Sequence, residues 1–252
     1  MKRIRVPFMT RLVTWLRLFA VQGSWNYEIL LGNGIGFCSE PALRLLPGGH
    51  GGDKYRRALA RQSRYFNAHP YLASVAVGAL TRAELEEVDP AKIERFRTAL
   101  AGPLGSVGDR LIWSGWLPLC SLLALGAYGV GGSAGLVVAL FLITYNVGHV
   151  AIRAWGLKVG FSQGTEVAKS LASPMLRRAP EWLDRAGALL AGIAVPTAVE
   201  RAVGIGGEVS ALAIGAVLVG GVVLARIPNT SVGWRLALGV LSIIVLYAVL
   251  VR

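Results

Sequence analysis

Acidic residues are scarce in this sequence. Fourteen Asp and Glu stand against 26 Lys and Arg, and charges of either sign make up only 16% of the 252 residues. Between Leu111 and Ile152 there are none. Cysteine is nearly absent: Cys38 and Cys120 lie far apart with no neighbour at metal-ligand spacing, which argues against a disulfide framework and for two buried free thiols. His50, His69 and His149 are scattered, there is no HExxH, CxxC or GxSxG, and "GPLGSVGD" lacks the Lys-Ser/Thr of a phosphate loop. No catalytic constellation stands out, so an autonomous enzyme is not expected, and neither is a metal or cofactor. Arg11 and Arg17 interrupt the first apolar stretch and no small-residue cleavage pattern follows it, so no signal peptide is expected.

What is abundant is apolar surface: 54% of the residues are hydrophobic and the mean hydropathy is +0.55. That balance points to an integral membrane protein rather than a soluble domain. Of the 40 charged residues, 25 fall in positions 1–110, so the chain divides into a charged first region, 1–110, and an apolar second one, 111–252. A net charge of +12 raises the question of nucleic acid. The cations instead gather at the N-terminus (Lys2, Arg3, Arg5, Arg11, Arg17), between 54 and 64, and between apolar spans, as cytoplasmic loops do under the positive-inside rule. The N-terminus is therefore expected in the cytoplasm and nucleic acid is not expected as a partner.

Residues 7–20, "PFMTRLVTWLRLFA", place Phe8, Leu12, Trp15, Leu16 and Phe19 on one helical face. Two readings stand: an amphipathic helix lying in the membrane interface, or one packed on the protein's own core. Gly32, Gly34 and Gly36 follow without the strand and helix of a dinucleotide fingerprint, and indicate close packing or a turn. Residues 53–66 predict a helix capped by Asp53, with Tyr55, Leu59 and Phe66 aligned. It must break near Asn67, because His69 precedes a proline and Asn accepts the left-handed conformation at a helix end. The uncharged leg from Pro70 to Thr81 is too short to cross a bilayer, and lengths of about 10 to 14 mean a re-entrant or buried segment. A charged helical region, "TRAELEEVDPAKIERF", closes this first region.

Beyond Leu111, the glycine-rich "YGVGGSAG" separates spans at 111–127 and 133–151. A basic connection at 153–185 shares the cytoplasmic side. Apolar stretches at 186–199 (with Pro196, and so tilted, broken or re-entrant), 209–225 and 236–251 bring the spans to about five. The expected fold is an all-α membrane bundle, re-entrant or broken in its first half.

Polar residues beside apolar segments are the remaining candidates. Glu84, Glu86 and Glu87 are either a solvated helix face or groups turned inward, and Asp109 fits the cap of a helix beginning "RLIWSGW". Asn146 and His149 suit helix-helix hydrogen bonds better than ligation. Asn67 and His69 either cap the break or offer donors and acceptors to a ligand.

At "QGSWNYE", "YFNAHP", "ELEE", "GPLGSVGD" and "YNVGHVAIRAWGLKVGFSQG" the sequence resembles the IID membrane component of the mannose/fructose/sorbose family of sugar phosphotransferase systems, across roughly residues 10–200. Ala68, Ser106 and Val107 depart from the usual FNTHP and GPLAGIGD, as does the shortness of the chain; these departures bear on the sugar more than on the family. The resemblance implies a bacterial inner-membrane subunit, multi-pass, that works with a IIC partner to carry a hexose-type sugar inward for phosphorylation by a IIB protein, itself supplied by IIA. It implies no phosphoryl-accepting residue in this chain, a hetero-oligomer, and contact with lipid. It also places Asn67 and His69 at the sugar, and Trp25, Asn26, Phe66, Pro70, Glu86, Glu87 and Asp109 along the pathway or the IIC contact. The competing reading is a non-transporting membrane scaffold or sensor that kept the fold.

Overall fold

Glycine decides where the first helices meet. In the computed structural model, which describes residues 5–204 and Gly215, helix α1 (Phe8–Arg17) runs into a 3₁₀ turn (Leu18–Ala20) that packs on α2 (Gly32–Leu43). A Cβ at Gly34 would strike the carbonyl of Val21, and one at Gly36 the hydroxyl of Ser63, so this face of α2 can carry no side chain. The expected close packing is what forms. On α1 Thr14 is fully buried, as is Leu18 in the turn that follows, while Phe8 and Leu16 of the apolar face stay 68% and 54% exposed. The helix therefore seats one edge in the core and leaves an apolar row outside it.

Helix α3 (Asp53–Gln62) is shorter than its sequence pattern suggests. Asp53 occupies its first turn, not its cap, which is Gly52. After Gln62 the chain straightens because Phe66 is claimed elsewhere: its N–H donates to the carbonyl of Ile29 at 3.2 Å and its carbonyl accepts from Leu31 at 3.0 Å. Long-range pairing overrides local helix propensity here.

Helix α4 (Ala73–Leu85) is buried on all sides except at Arg82. A helix apolar all round belongs in a core. Its small residues admit α7 (Ala134–Gln163): a Cβ at Gly160 would lie 2.8 Å from the Ala79 nitrogen, and one at Gly78 2.7 Å from the Leu157 carbonyl. Gly156 and Gly160 thus form a small-xxx-small contact. At its far end α4 is braced by Glu84, whose carboxylate accepts from Arg61 at 2.8 and 2.6 Å and from Gln62 at 2.7 Å.

One helical stretch of 40 residues, Pro90–Gly129, joins α5 (Pro90–Gly108), a π-helical segment (Asp109–Trp116) and α6 (Leu117–Gly129). Asp109 is therefore inside a continuous helical stretch and is no N-cap; the N-cap of this stretch is Asp89, which accepts from Ala91 and Lys92. Gly131, at φ +96°, makes the turn into α7, as the glycine-rich stretch predicts. Among the described residues, Pro90–Gly129 and Ala134–Glu166 are long and apolar enough to cross a membrane. Short α8 (Ala168–Leu171) leads to α9 (Pro174–Val203), which carries 186–199 unbroken through Pro196, where the Thr197 hydroxyl takes the carbonyl of Ile193 at 2.9 Å. The stretches 209–225 and 236–251 lie outside the described residues, Gly215 excepted.

The chain packs as two units. The first comprises the described residues up to 113 with 146–180, and its core joins Leu18, Ile35, Phe66, Leu80, Leu104 and Leu157. The second comprises 114–145 with the described residues from 181 on, in which Gly126 and Gly129 receive Ala194 and Thr197, and Arg201 donates to the carbonyls of Tyr128 and Gly132. Cys38 and Cys120 are free and buried, as the sequence predicts. Burial pushes the Cys38 thiol up to about 12, against the opposing pull of Arg153 and Arg17.

Candidate functional site

The break after α3 is held open by a residue from α5. Arg97, itself buried, donates to the carbonyls of Gln62 (3.1 Å), Arg64 (2.6 Å) and Tyr65 (2.6 Å), and its guanidinium covers the Phe66 ring at 5.0 Å. Orphan carbonyls at a helix end need donors, and a guanidinium supplies several in one plane. Asn67 therefore does not cap the helix. It sits five residues past Gln62, exposed, and is not among the described residues with positive φ, which are Leu30 and Glu87 apart from glycines. Asn26 builds the other wall of the break: its Oδ1 accepts from the N–H groups of Glu28 and Ile29 at 3.0 Å, setting up the turn in which Leu30 takes φ +50° and pairs with Phe66.

His69 lies at the end of this loop and is 2% exposed. Its carbonyl accepts from Ala73 and so starts α4, and its Nδ1 accepts from the N–H of Tyr71 at 3.2 Å. That bond assigns the proton to Nε2, which is buried and has no hydrogen-bond partner among the described residues. The ring stands edge-on to Tyr71 (centroids 5.0 Å, 86°) and tilted against Trp113 (5.0 Å, 57°). Beneath it lies "GPLGSVGD": a Cβ at Gly108 would run into the Cβ and Cγ of His69, and one at Gly105 would meet Ala68 at 4.0 Å. The two motifs are therefore one structure, with the glycines of α5 forming the seat on which the FNAHP loop rests.

The third wall comes from α7. Arg153 is buried, donates from Nη1 to the carbonyls of Leu18 and Pro70, and lies over the rings of Tyr71 (4.5 Å) and Phe19 (5.5 Å). One turn earlier, His149 lies 4.5 Å from the Tyr71 ring and 5.5 Å from Phe19, with its Nδ1 3.3 Å from Asn146 Oδ1. Sequence reasoning assigns Arg153 only to a basic connection. The spacing of Asn146, His149 and Arg153, at i, i+3 and i+7 on one helix face, is the signal that places it here.

The other candidates are distributed. Phe66 is buried and Pro70 half-buried in the same loop as Asn67 and His69, and Asp109 is exposed next to Gly108. Trp25 is 45% exposed, stacked edge-on with the exposed Tyr27 at 4.8 Å. Glu86 and Glu87 lie at the opposite end of α4, away from His69: Glu86 accepts from Arg82 at 2.8 Å, and Glu87, in a left-handed turn at φ +54°, pairs with Lys54. Glu84 is buried in its ion pair, so the three glutamates do not form one solvated face. Among the described residues no three His, Cys, Asp or Glu side chains converge as metal ligands. What the site does assemble is a buried N–H donor, an exposed amide beside it, the Arg153 guanidinium and flat aromatic faces.

Residues 9–225 match the family described as PTS system mannose/fructose/sorbose family IID component. The mannose-specific EIID component of Escherichia coli (strain K12) is 30% identical over 187 residues, covering 72% of this chain and 65% of that protein. The fructose permease IID component of Bacillus subtilis (strain 168) is 31% identical over 180 residues, 69% of this chain and 63% of that one. The chain thus spans a little under two thirds of these relatives. Of solved structures, one described as a membrane protein superposes with a TM-score of 0.67 at 28% identity, covering 75% of this chain and 70% of the other. A cryo-EM structure of the mannose transporter ManYZ in complex with a microcin superposes with a TM-score of 0.59 at 28% identity, covering 75% and 69%.

Proposed function

Because this chain belongs to the mannose/fructose/sorbose family of phosphotransferase-system IID components, we propose that it is the membrane subunit which, with a IIC partner, forms the path for a hexose-type sugar phosphorylated on uptake by a IIB protein. The observation that carries this reading to a site is the Nε2 of His69, a buried donor without an acceptor among the described residues. An unmet donor is costly in an apolar setting, and a sugar hydroxyl arriving at the FNAHP loop relieves that cost. Asn67, exposed in the same loop, supplies both a donor and acceptors to a neighbouring hydroxyl. The chain passes no phosphoryl group itself; that chemistry belongs to IIB, fed by IIA.

In this reading the protein is a multi-pass component of the bacterial inner membrane with about five spans after residue 110, the stretches 209–225 and 236–251 among them. Region 1–110 and the 153–185 connection face the cytoplasm, where their cations are favoured. The exposed Trp25 and Asp109 meet IIC, Asn26, Phe66 and Pro70 hold the loop in shape, and Glu86 and Glu87 anchor the far end of α4 near the partner.

The test is uptake of labelled hexose by the chain assembled with IIC, IIB and IIA, expressed per assembled complex, for Asn67→Ala and His69→Ala. Loss of a hydrogen bond to a neutral ligand costs about 0.5 to 1.5 kcal/mol, so apparent affinity falls severalfold or further. Uptake per complex at the wild-type level in both variants would remove the sugar-contact assignment and leave the loop as architecture.

A further inference from the structure

An open groove of about 1000 Å³ runs between α1, with the residues just before it, and α7. Its floor is apolar, with Leu12, Trp15 and Phe161 among the lining residues, and every ionisable side chain that lines it is a cation: Arg5, Arg11 and Lys158. All three cations are exposed, and none enters an ion pair among the described residues. Three cations lining one groove with no acidic residue make it a site of positive potential that favours an anion. The same helix presents Phe8, itself a lining residue, at 68%, with Met9 at 64% and Leu16 at 54% exposure, an apolar row of the kind an interfacial helix carries.

We propose that this groove binds one anionic phospholipid, its phosphate held by Arg5, Arg11 and Lys158 and an acyl chain lying along the apolar floor. Charge complementarity selects the head group, and the apolar floor separates a lipid from a free phosphate, which gains nothing there. Basic pockets beside membrane helices recognise anionic lipids by the same combination. The site rests on the membrane placement of the family and not on sugar transport, so it stands or falls independently of the uptake experiment.

The experiment titrates the full-length chain, purified in neutral detergent, with phosphatidylglycerol, with phosphatidylcholine of the same acyl chains, and with inorganic phosphate, following bound lipid by native mass spectrometry. Phosphatidylglycerol should bind as a one-to-one adduct in strong preference to phosphatidylcholine. Each cation near an anionic lipid contributes about a fivefold preference, so Arg11→Gln with Lys158→Gln should weaken the adduct on the order of 30-fold. Arg11→Lys with Lys158→Arg should restore it, which separates charge from a folding defect, as does an unchanged elution volume. Equal binding of the two lipids, an adduct indifferent to the Gln substitutions, or displacement by inorganic phosphate at matched concentration would each overturn the proposal. A photoreactive residue at position 12 should label lipid in membranes; labelling of polypeptide instead would show that a protein fills the groove, and would overturn it as well.

Discussion

Gly108 lies directly against His69, so close that a single methyl group at position 108 would overlap the Cβ and Cγ of the histidine. Replacing that hydrogen with a methyl must lift the FNAHP loop or bend α5, and overpacking of this kind costs about 1 to 3 kcal/mol. Gly108→Ala should therefore lower both thermal stability and uptake, whereas Gly102→Ala, with open space around it, should leave both near wild type. Equal behaviour of the two variants in a thermal-shift series would contradict the contact.

The ion pair between Arg61 and Glu84 ties α3 to α4 with side chains 16% and 3% exposed. Removing one partner strands the other charge, which costs on the order of 3 kcal/mol. Glu84→Gln is expected to be strongly destabilised, and Arg61→Met with Glu84→Leu much less so, because an apolar pair leaves no buried charge. Glu87→Gln, at the exposed pair with Lys54, should change stability by less than about 1 kcal/mol. Chemical denaturation in detergent, compared across the three variants, gives the ranking.

Glu40 joins three elements, accepting from Arg17 at 2.8 Å, Arg44 at 2.5 Å and the Tyr55 hydroxyl at 3.1 Å. Burial alone would raise its carboxyl, but the hydrogen bonds from Arg44, Arg17 and Tyr55 outweigh that and hold it below the ordinary value of 4.5. A carboxylate depressed in the folded state contributes its full stability above the unfolded value and loses it as pH falls through the folded one. The melting temperature should thus be flat in this respect at neutral pH and decline below about pH 4.5. Glu40→Gln should reduce the slope of that acid limb; an unchanged slope would assign the limb to other carboxylates.

Orientation follows from the cations. If the 153–185 region faces the cytoplasm, a cysteine at Ser170, in the short α8, is shielded from an impermeant maleimide in intact cells and labelled after permeabilisation. Labelling in intact cells would invert the topology.

How much of this was open to a reader of the sequence differs from element to element. The two long apolar helices and the turn at Gly131 announce themselves because hydrophobic runs and glycine clusters are local properties. The end of α3 does not, because Phe66 is held by Ile29 and Leu31 and the last carbonyls are claimed by Arg97, more than thirty residues away in either direction. Asp53 and Asp109 look like caps by composition, and only the backbone shows that one is inside a first turn and the other mid-helix. The site shows the same division. Asn67 and His69 stand out as polar residues at a helix break, whereas Arg153, a charge among charges in sequence, gains its role from folding onto Tyr71 and the carbonyl of Leu18.

That last bond spans 135 residues. A ribosome adds roughly 5 to 20 residues per second, so the turn at Leu18 emerges on the order of ten seconds before the guanidinium that completes it. Throughout that interval α1 is held to α2 by Arg17, which pairs with Glu40, but the turn at Leu18 lacks the guanidinium that ties it to α7. The contact between α1 and α7 is therefore made late in synthesis, and until Arg153 arrives the paired α1 and α2 are free to settle on the membrane surface before the core closes behind them.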